Sequence, residues 1–307
     1  MADLRSSAVR IAHPFPSGRR TSGVPVVKAV THIRGMRGGS QAHLMKCSDG
    51  HFYIIKFANN PQGTKILANE ILAHGIASIL GLPVPPCAIV DVAPKLIELT
   101  PELAIEEPMR RAPCQPGLAF GSRYVGQEGD GYLSTPWDIL PMEFLSSVNN
   151  LKDFRGMLVF DIWTCNTDGR QVVFRKKLNR FDAYMIDNGF CFNAEAWTFP
   201  DAPLRALYGN KAVYCGAANI KCYERWLTRI EVGWNRAEMQ ALADQIPPEW
   251  YQSDRQNLDH LLDTLDRRRG RVRQLLVEAL PVIADRFPGF TAPLPSAREG
   301  LHLEAGA

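Results

Sequence analysis

The sequence predicts an α+β protein of two lobes, with a small β-rich lobe at the N-terminus and a larger, mostly helical lobe after it. Strand-like segments separated by glycine-containing turns dominate residues 24–125, and helix-like segments are prominent in residues 126–284. The chain has 307 residues, of which 46% are hydrophobic and 22% charged, a composition typical of globular proteins. This length allows a core in each lobe. We expect residues 1–23 to form a disordered arm and residues 285–307 a flexible tail.

The N-terminal lobe is predicted to open with a strand, a hairpin and a helix. Asp49-Gly50 lies between two strand-like segments and is a strong hairpin signal. The apolar residues of the helix recur at helical spacing, and Gly81 and Pro83 can end it. Residues 101–116 are rich in proline and charge, which predicts a loop or a short helix. In order, the predicted elements are strands at 24–33, 41–46 and 51–57, a helix at 64–80, and strands at 87–92 and 117–125.

The second lobe is predicted to contain a buried helix at residues 151–165, then two aspartate turns, then amphipathic helices at residues 236–245 and 253–284. The stretch from Asp266 to Arg273 is dense in arginine. We interpret it as a solvated helix face in preference to a nucleic-acid patch.

Composition and motifs exclude several classes of function. The net charge of +3 is too small to indicate a nucleic-acid-binding protein, and no apolar run approaches the ~20 residues that span a bilayer. The seven cysteines are dispersed without a Cys-x-x-Cys pair, which favours reduced thiols. Residues 1–23 do not resemble a signal peptide, so we expect a cytoplasmic protein. The motifs of zinc hydrolases, serine hydrolases and dinucleotide-binding enzymes are absent from the sequence.

Four ionisable residues lie, in sequence order, on the kinds of element that a phosphoryl-transfer site uses. Lys56 ends a strand and is suited to hold phosphates, and Glu70 lies in an apolar helix, where it can orient that lysine. Asp168 lies in a turn after a buried helix and is suited to act as a catalytic base. Asp187 follows an apolar strand and can bind magnesium, which prefers oxygen ligands. Each residue alone has an ordinary explanation, a surface charge or an Asx turn, and only the set predicts the site.

A glycine-rich turn before the second strand is a candidate for binding phosphate. Gly38, Gly39 and Ser40 can bring backbone N–H groups close to phosphate oxygens, because glycine tolerates the backbone angles required. The turn is neither Gly-x-Gly-x-x-Gly nor a Walker A sequence. An ordinary hairpin turn therefore remains an equal alternative.

These motifs resemble those of the HipA-like kinases. The resemblance spans about residues 24–280, and its most specific parts are Asn166-Thr-Asp168 and Ile186-Asp187-Asn-Gly189. It implies a bilobal fold related to protein kinases and phosphatidylinositol kinases, with ATP and magnesium bound between the lobes. It also implies phosphorylation of Ser or Thr, best known from bacterial toxin–antitoxin systems. The other matching stretches are Gly38–Gln41, Tyr53–Phe57, Asn60–Gly63, Asn69-Glu70, Leu80–Pro85 and Phe160–Cys165.

One position departs from the family pattern. In these kinases an asparagine five residues after the catalytic aspartate usually binds magnesium, and here that position is Val173, whose side chain cannot bind a metal. Gln171 or Asn166 could supply the oxygen instead, or Asp187 could hold a single ion.

Three hypotheses about function follow. The first is an ATP- and magnesium-dependent kinase that acts on Ser or Thr of a protein. The second is a pseudokinase or nucleotide-binding scaffold with weak or no transfer, supported mainly by Val173. The third is another phosphoryl or nucleotidyl transfer on the same fold, toward a small molecule or a lipid. As partners, the sequence indicates neither nucleic acid nor a membrane.

Overall fold

The structure is a computed structural model that describes residues 23–107, 109–126, 128–129 and 132–292. The predicted arm up to residue 22 and the predicted tail from residue 293 lie outside the described residues. The described strands are β1 (Val26–Gly35), β2 (His43–Cys47), β3 (Phe52–Lys56), β4 (Cys87–Val92), β5 (Ala104–Glu106), β6 (Arg111–Pro113), β7 (Gly117–Arg123), β8 (Glu128–Gly129), β9 (Tyr132–Leu133), β10 (Gln171–Lys177) and β11 (Arg180–Ile186). The described helices are α1 (Lys65–Ile79), α2 (Pro94–Glu98), α3 (Asp153–Thr164), α4 (Glu224–Gly233), α5 (Arg236–Ala243), α6 (Arg255–Arg269) and α7 (Val272–Arg286).

Five strands of the N-terminal lobe form a closed barrel in the order β1-β2-β3-β7-β4. All neighbours pair antiparallel except β1 and β4, which close the barrel by parallel pairing. Side chains alternate between the two faces of a strand, so Tyr53 and Ile55 of β3 join the core inside the barrel while Ile54 and Lys56 lie on the other face. The segment predicted as a loop or short helix, residues 101–116, contains instead the hairpin of β5 and β6, so that prediction is wrong.

Helix α1 lies between the barrel and the helical lobe. Of its 15 residues, 11 are buried, and it contacts β7 as well as α5. Gly75 allows α5 to come close, because a Cβ at this position would lie 2.7 Å from Leu242 Cδ2. The helix ends before Gly81, which has a φ of +72° and so adopts the left-handed conformation that glycine favours.

Helix α3 forms the centre of the second lobe and packs against α6 and α7. The hairpin of β10 and β11 follows α3 and lies between the two predicted aspartate turns. In the arginine-rich stretch, Arg268 is buried and donates to the carbonyls of Ile162 and Trp163, both at 2.9 Å. Part of this stretch therefore stabilises the core of the lobe, whereas we predicted a solvated face.

The end of the described chain also packs on the second lobe. Helix α7 ends at Arg286, and Phe290 beyond it is buried and accepts a backbone hydrogen bond from Ala217. The sequence predicted a flexible tail from residue 285, of which only the part up to residue 292 is described. None of the described helices has the length and apolar character that crossing a membrane requires.

Gly156 on α3 lies directly against the indole ring of Trp226. A Cβ at this position would lie 2.2 Å from Trp226 Nε1. Replacing Gly156 by valine is expected to lower the free energy of unfolding by about 1–3 kcal/mol, the usual cost of overpacking a core. Urea unfolding followed by circular dichroism measures this loss. Gly209→Ala is the control, because no atom lies within 4 Å of a Cβ there, and an equal loss in the two variants would contradict the prediction.

Candidate active site

Lys56, Glu70 and Asp187 meet in an ion-paired cluster between the lobes. Lys56 Nζ donates to Glu70 Oε1 at 2.6 Å and to Asp187 Oδ1 at 2.8 Å. The lysine is the last residue of β3, the glutamate lies on α1, and the aspartate directly follows β11. The side chains of Lys56 and Glu70 are 8% and 3% exposed, whereas that of Asp187 is 20% exposed. The structure thus brings three of the predicted site residues together and leaves one carboxylate accessible from the cleft.

The three charges stabilise one another against the cost of burial. Burial acts to lower the pKa of Lys56, but Glu70 and Asp187 outweigh it and raise that pKa above its usual value. Burial raises the pKa of Glu70, and Lys56 only partly opposes this effect. Burial also acts to raise the pKa of Asp187, but Lys56 and Arg170 outweigh it and lower that pKa. At neutral pH the lysine is therefore charged, and Asp187 is an ionised carboxylate suited to bind a cation.

The backbone turn that carries Asp187 is held from two sides. Asp187 has a φ of +58°, which is uncommon for residues other than glycine. Asn188 N donates to Glu70 Oε2 at 3.1 Å, so the glutamate binds both the lysine and the turn. On the other side, Arg170 Nη1 donates to the carbonyls of Ile186 and Asp187 at 2.8 and 3.1 Å. These contacts fix the direction in which the aspartate points.

Arg170 and Asp161 form a buried ion pair beneath the loop of Asp168. Arg170 Nε donates to Asp161 Oδ2 at 2.9 Å, and Arg170 Nη2 donates to Oδ1. Their side chains are 0% and 1% exposed. Asn166 joins this pair, because its Nδ2 donates to Asp161 Oδ1 at 3.1 Å, and its Oδ1 accepts from the backbone N of Asp168 at 3.2 Å. The loop is therefore tied to a buried charge network.

Asp168 is exposed at the tip of this loop. Its Oδ1 accepts a hydrogen bond from Gly169 N at 2.8 Å, a contact within the loop itself. The structure thus places Asp168 on an exposed loop, and within the described residues no hydrogen bond joins its carboxylate to the cluster of Lys56.

The strand register explains the valine at the position of the expected metal-binding asparagine. Only Gly169 and Arg170 separate Asp168 from the start of β10, so a position five residues after Asp168 lies inside the strand. Val173 pairs there with Tyr184 and is 7% exposed. The position at which the family pattern expects the metal-binding asparagine therefore lies in the hairpin of β10 and β11 and not in the loop of Asp168.

Gln171 is the hairpin residue that lies beside Asp187. It is the first residue of β10, pairs with Ile186, and its Nε2 donates to Asp187 Oδ2 at 3.0 Å. Within the described residues, no hydrogen bond joins the other candidate ligand, Asn166, to Asp187. Of the two amides predicted as substitute ligands, the structure brings only Gln171 to the aspartate.

The described residues contain no group of three or more His, Cys, Asp or Glu side chains arranged to hold a metal ion. A site for magnesium does not require one, because this ion is commonly held by one or two protein carboxylates together with substrate phosphates and water. Asp187 and Gln171 fit such a site. Their side chains are already in contact, and rotating the amide of Gln171 would turn its oxygen toward the aspartate in place of the nitrogen.

The predicted glycine-rich turn lies at the same end of the barrel as Lys56. The turn joins β1 to β2. The first residue of β2 pairs with Ile55, which directly precedes Lys56 on β3. Gly38 has a φ of +127°, which side chains disfavour, and it is exposed together with Gly39, whereas Ser40 is buried. The turn is therefore placed to meet a ligand that contacts Lys56.

A pocket of about 390 Å³ is lined by residues of both lobes near their connection, and we call the space between the lobes from the ion-paired cluster to this pocket the cleft. Phe52 lines the pocket from the first lobe and lies on the same face of β3 as Lys56. Arg175 lines it from the second lobe and lies on the same face of β10 as Gln171. Each pair is four residues apart, which is ~13 Å along a strand. The lining also includes Tyr124, Val125, Gly126 and Tyr184.

Sequence reasoning missed the roles of Asp161, Arg170 and Asn188. Asp161 lies in the apolar run from Met157 to Trp163, and a buried charge requires a partner. This pattern could have marked Asp161 as one half of an ion pair. Nothing in the local sequence identifies Arg170 as the other half, because the contact depends on how the loop folds back.

Comparison with known proteins identifies the family and the fold. The sequence matches the HipA-like kinase family over residues 30–276. Among solved structures it is similar to hydra Fam20 with sugar, at a TM-score of 0.50 and 14% identity over 87% of this chain and 88% of that chain. It is also similar to the Helicobacter pylori proinflammatory kinase CtkA, at a TM-score of 0.48 and 13% identity over 85% of this chain and 99% of that chain.

No curated protein gives a significant match to the chain. At these low identities the likeness to solved structures concerns the fold, and the predicted bilobal, protein-kinase-like α+β fold is confirmed. The family match covers more than half of the sequence and includes all of the ion-paired cluster. The chain belongs to the HipA-like kinase family.

Proposed function

We propose that the chain is an ATP- and magnesium-dependent kinase that transfers a phosphoryl group to a Ser or Thr hydroxyl of a protein. The observation that carries this proposal is the contact of Lys56 with both Glu70 and Asp187. Kinases use a lysine held by a helix glutamate to bind ATP phosphates next to a magnesium-binding aspartate. Family membership supports phosphoryl transfer as the reaction class. The seven free thiols support a cytoplasmic location.

The nucleotide would lie along the cleft, with its base toward the pocket and its phosphates at Lys56. The glycine-rich turn would then cover the phosphates from the barrel side. Val173 lies between Gln171 and Arg175 on the same face of β10, and it is apolar and 7% exposed. This position suits contact with a nucleoside, which gives the valine a role in place of metal binding.

Asp187 and Gln171 would hold magnesium together with phosphate oxygens, and the ion would neutralise charge that develops during transfer. Asp168 would accept or orient the proton of the acceptor hydroxyl, since its carboxylate is exposed on the loop between α3 and β10. Glu70 keeps the lysine in place and also holds the turn of Asp187.

The rival hypothesis of a pseudokinase depended on the valine at position 173. Gln171 contacts Asp187 and could supply the second oxygen ligand, so the valine does not by itself argue against metal binding. We therefore favour an active kinase. Transfer to a small molecule or a lipid would use the same cluster, and the choice of acceptor in the assay distinguishes it.

Labelled ATP and magnesium test this function, with the protein itself, Ser/Thr peptides, phosphoinositides and small alcohols as separate acceptors. We expect label on protein or peptide hydroxyls. Asp187→Asn is expected to lower transfer by at least about 100-fold, since losing even an outer-shell partner of a metal ligand commonly costs about 10–100-fold, and to abolish the additional thermal stabilisation that magnesium gives with ATP. Asp285→Asn, at an exposed position of α7 outside the cluster, is the control.

Other outcomes have distinct meanings. Stabilisation by ATP and magnesium without transfer to any acceptor would support the pseudokinase. Label on lipids or alcohols alone would show a different acceptor class. No effect of ATP on the melting temperature, together with no transfer, would contradict the proposal.

A further inference from the structure

Asn69 precedes Glu70 on α1 and binds the segment that follows Asp187 through both ends of its side-chain amide. It is 1% exposed. Its Oδ1 accepts from Trp197 Nε1 at 2.7 Å. Its Nδ2 donates to three backbone carbonyls, those of Gly189 at 2.7 Å, Cys191 at 3.2 Å and Ala194 at 2.9 Å.

The anchored segment, residues 188–197, has a strained backbone. Left-handed conformations cost residues other than glycine about 1–2 kcal/mol each, and they persist where surrounding contacts impose them. The bonds from Asn69 are contacts of this kind, because Ala194 is itself strained and the carbonyls of Gly189 and Cys191 lie just before the strained residues. The strained residues and their φ angles are Phe192 (60°), Asn193 (59°), Ala194 (56°) and Trp197 (49°).

Helix α1 thus holds this segment at two adjoining positions. Glu70 binds the N–H of Asn188 with one oxygen and Lys56 with the other. Asn69 binds the rest of the segment. Because the two residues are consecutive on a buried helix, one position of α1 satisfies both contacts. The location of Asp187 beside Lys56 therefore depends on a segment that Asn69 anchors.

We propose that Asn69 is a positioning residue that holds residues 188–197 in the conformation in which Asp187 can bind a nucleotide-bound divalent cation. The proposal rests on the kinase function proposed above and adds to it a coupling between anchoring and cation binding. Each of the two events stabilises the other, because both require the same conformation of the segment. Asn69 acts through Asp187 and does not itself touch the reacting groups.

Two variants separate the two ends of the amide. Asn69→Ala removes all four hydrogen bonds. Asn69→Asp keeps an acceptor for Trp197 but places a group without N–H donors against three carbonyls. We expect both variants to lower kcat at saturating ATP by about tenfold or more and to abolish the additional stabilisation by magnesium. The aspartate variant should be impaired at least as strongly as the alanine variant.

Asn150→Ala is the matched control. Asn150 also binds a strand through both ends of its amide, at the N and O of Ala183, each at 2.9 Å. It lies outside the anchored segment. A purely structural role for Asn69 predicts that Asn69→Ala and Asn150→Ala both have a lower melting temperature, while their kcat and magnesium dependence stay as in the wild type. That result would overturn the proposal.

Hydrogen exchange distinguishes failure of the anchoring from failure of the kinase function. In nucleotide-free protein, the amides of residues 188–197 should exchange faster in Asn69→Ala than in the wild type or in Asn150→Ala. If the wild type transfers no phosphate, the proposed kinase function is wrong. The exchange rates then still show whether Asn69 anchors residues 188–197. Unchanged exchange in Asn69→Ala overturns the inference in either case.

Discussion

Replacing Asp168 by alanine is expected to slow phosphoryl transfer at saturating ATP by about 10²–10⁴-fold, the usual contribution of a general acid or base. ATP binding should not weaken, because Lys56 and Asp187, the residues proposed to bind the nucleotide, form a cluster of their own. Stability should also hold, since Asp168 is exposed. Single-turnover rates, ATP-dependent melting and urea unfolding measure the three quantities.

The control for this variant is Asp285→Ala, which removes an exposed aspartate of α7 outside the cleft. It should leave the transfer rate unchanged. An Asp168→Ala protein that transfers phosphate at the wild-type rate would show that the hydroxyl is activated by another group. A parallel loss of ATP binding would instead place Asp168 in the nucleotide site.

Replacing Asp161 by asparagine is expected to lower the free energy of unfolding by about 3–5 kcal/mol. The reason is that Arg170 would remain buried without its carboxylate, whereas both side chains are at most 1% exposed in the wild type. Domains commonly have only about 5–15 kcal/mol of stability, so this loss would be a large fraction of the total. Urea unfolding measures it, and a change below about 0.5 kcal/mol would contradict the prediction.

A double variant separates stability from function in this pair. Asp161→Leu combined with Arg170→Met removes both charges, and apolar replacement of a buried ion pair is often neutral or stabilising. We expect the double variant to recover most of the stability that the single variant loses. It should not recover transfer, because Arg170 also holds the carbonyls of Ile186 and Asp187.

The elements of the first lobe were predictable because their signals are local. The strand predicted at 51–57 is β3, Phe52–Lys56, and the helix predicted at 64–80 is α1, Lys65–Ile79. Alternation, helical spacing and turn residues all lie within these segments. The hairpin of β5 and β6 was missed because each of its strands has three residues, too few to show a period.

The site was predictable only in part, because its contacts are long-range. Lys56 and Glu70 could be paired in advance, since a glutamate in an apolar helix needs a cation. The position of Gln171 beside Asp187 depends on where β10 begins. The family pattern places the metal-binding residue five positions after Asp168, which would require a longer loop before the strand. The contacts of Arg170 and Asn69 join segments that are distant in sequence, and no local sequence pattern indicates that these segments come together.

The burial of α1 restricts which motions could regulate the proposed kinase activity. A regulatory helix that swings between two positions needs a face that can leave its neighbours at small cost, and packed interfaces switch between discrete arrangements. With 11 of its 15 residues buried, α1 would expose apolar surface to water wherever it moved. Switching off by helix rotation is therefore disfavoured in this chain. Control of activity is expected to act on segments packed against α1, such as the strained segment after Asp187, while the helix itself stays in place.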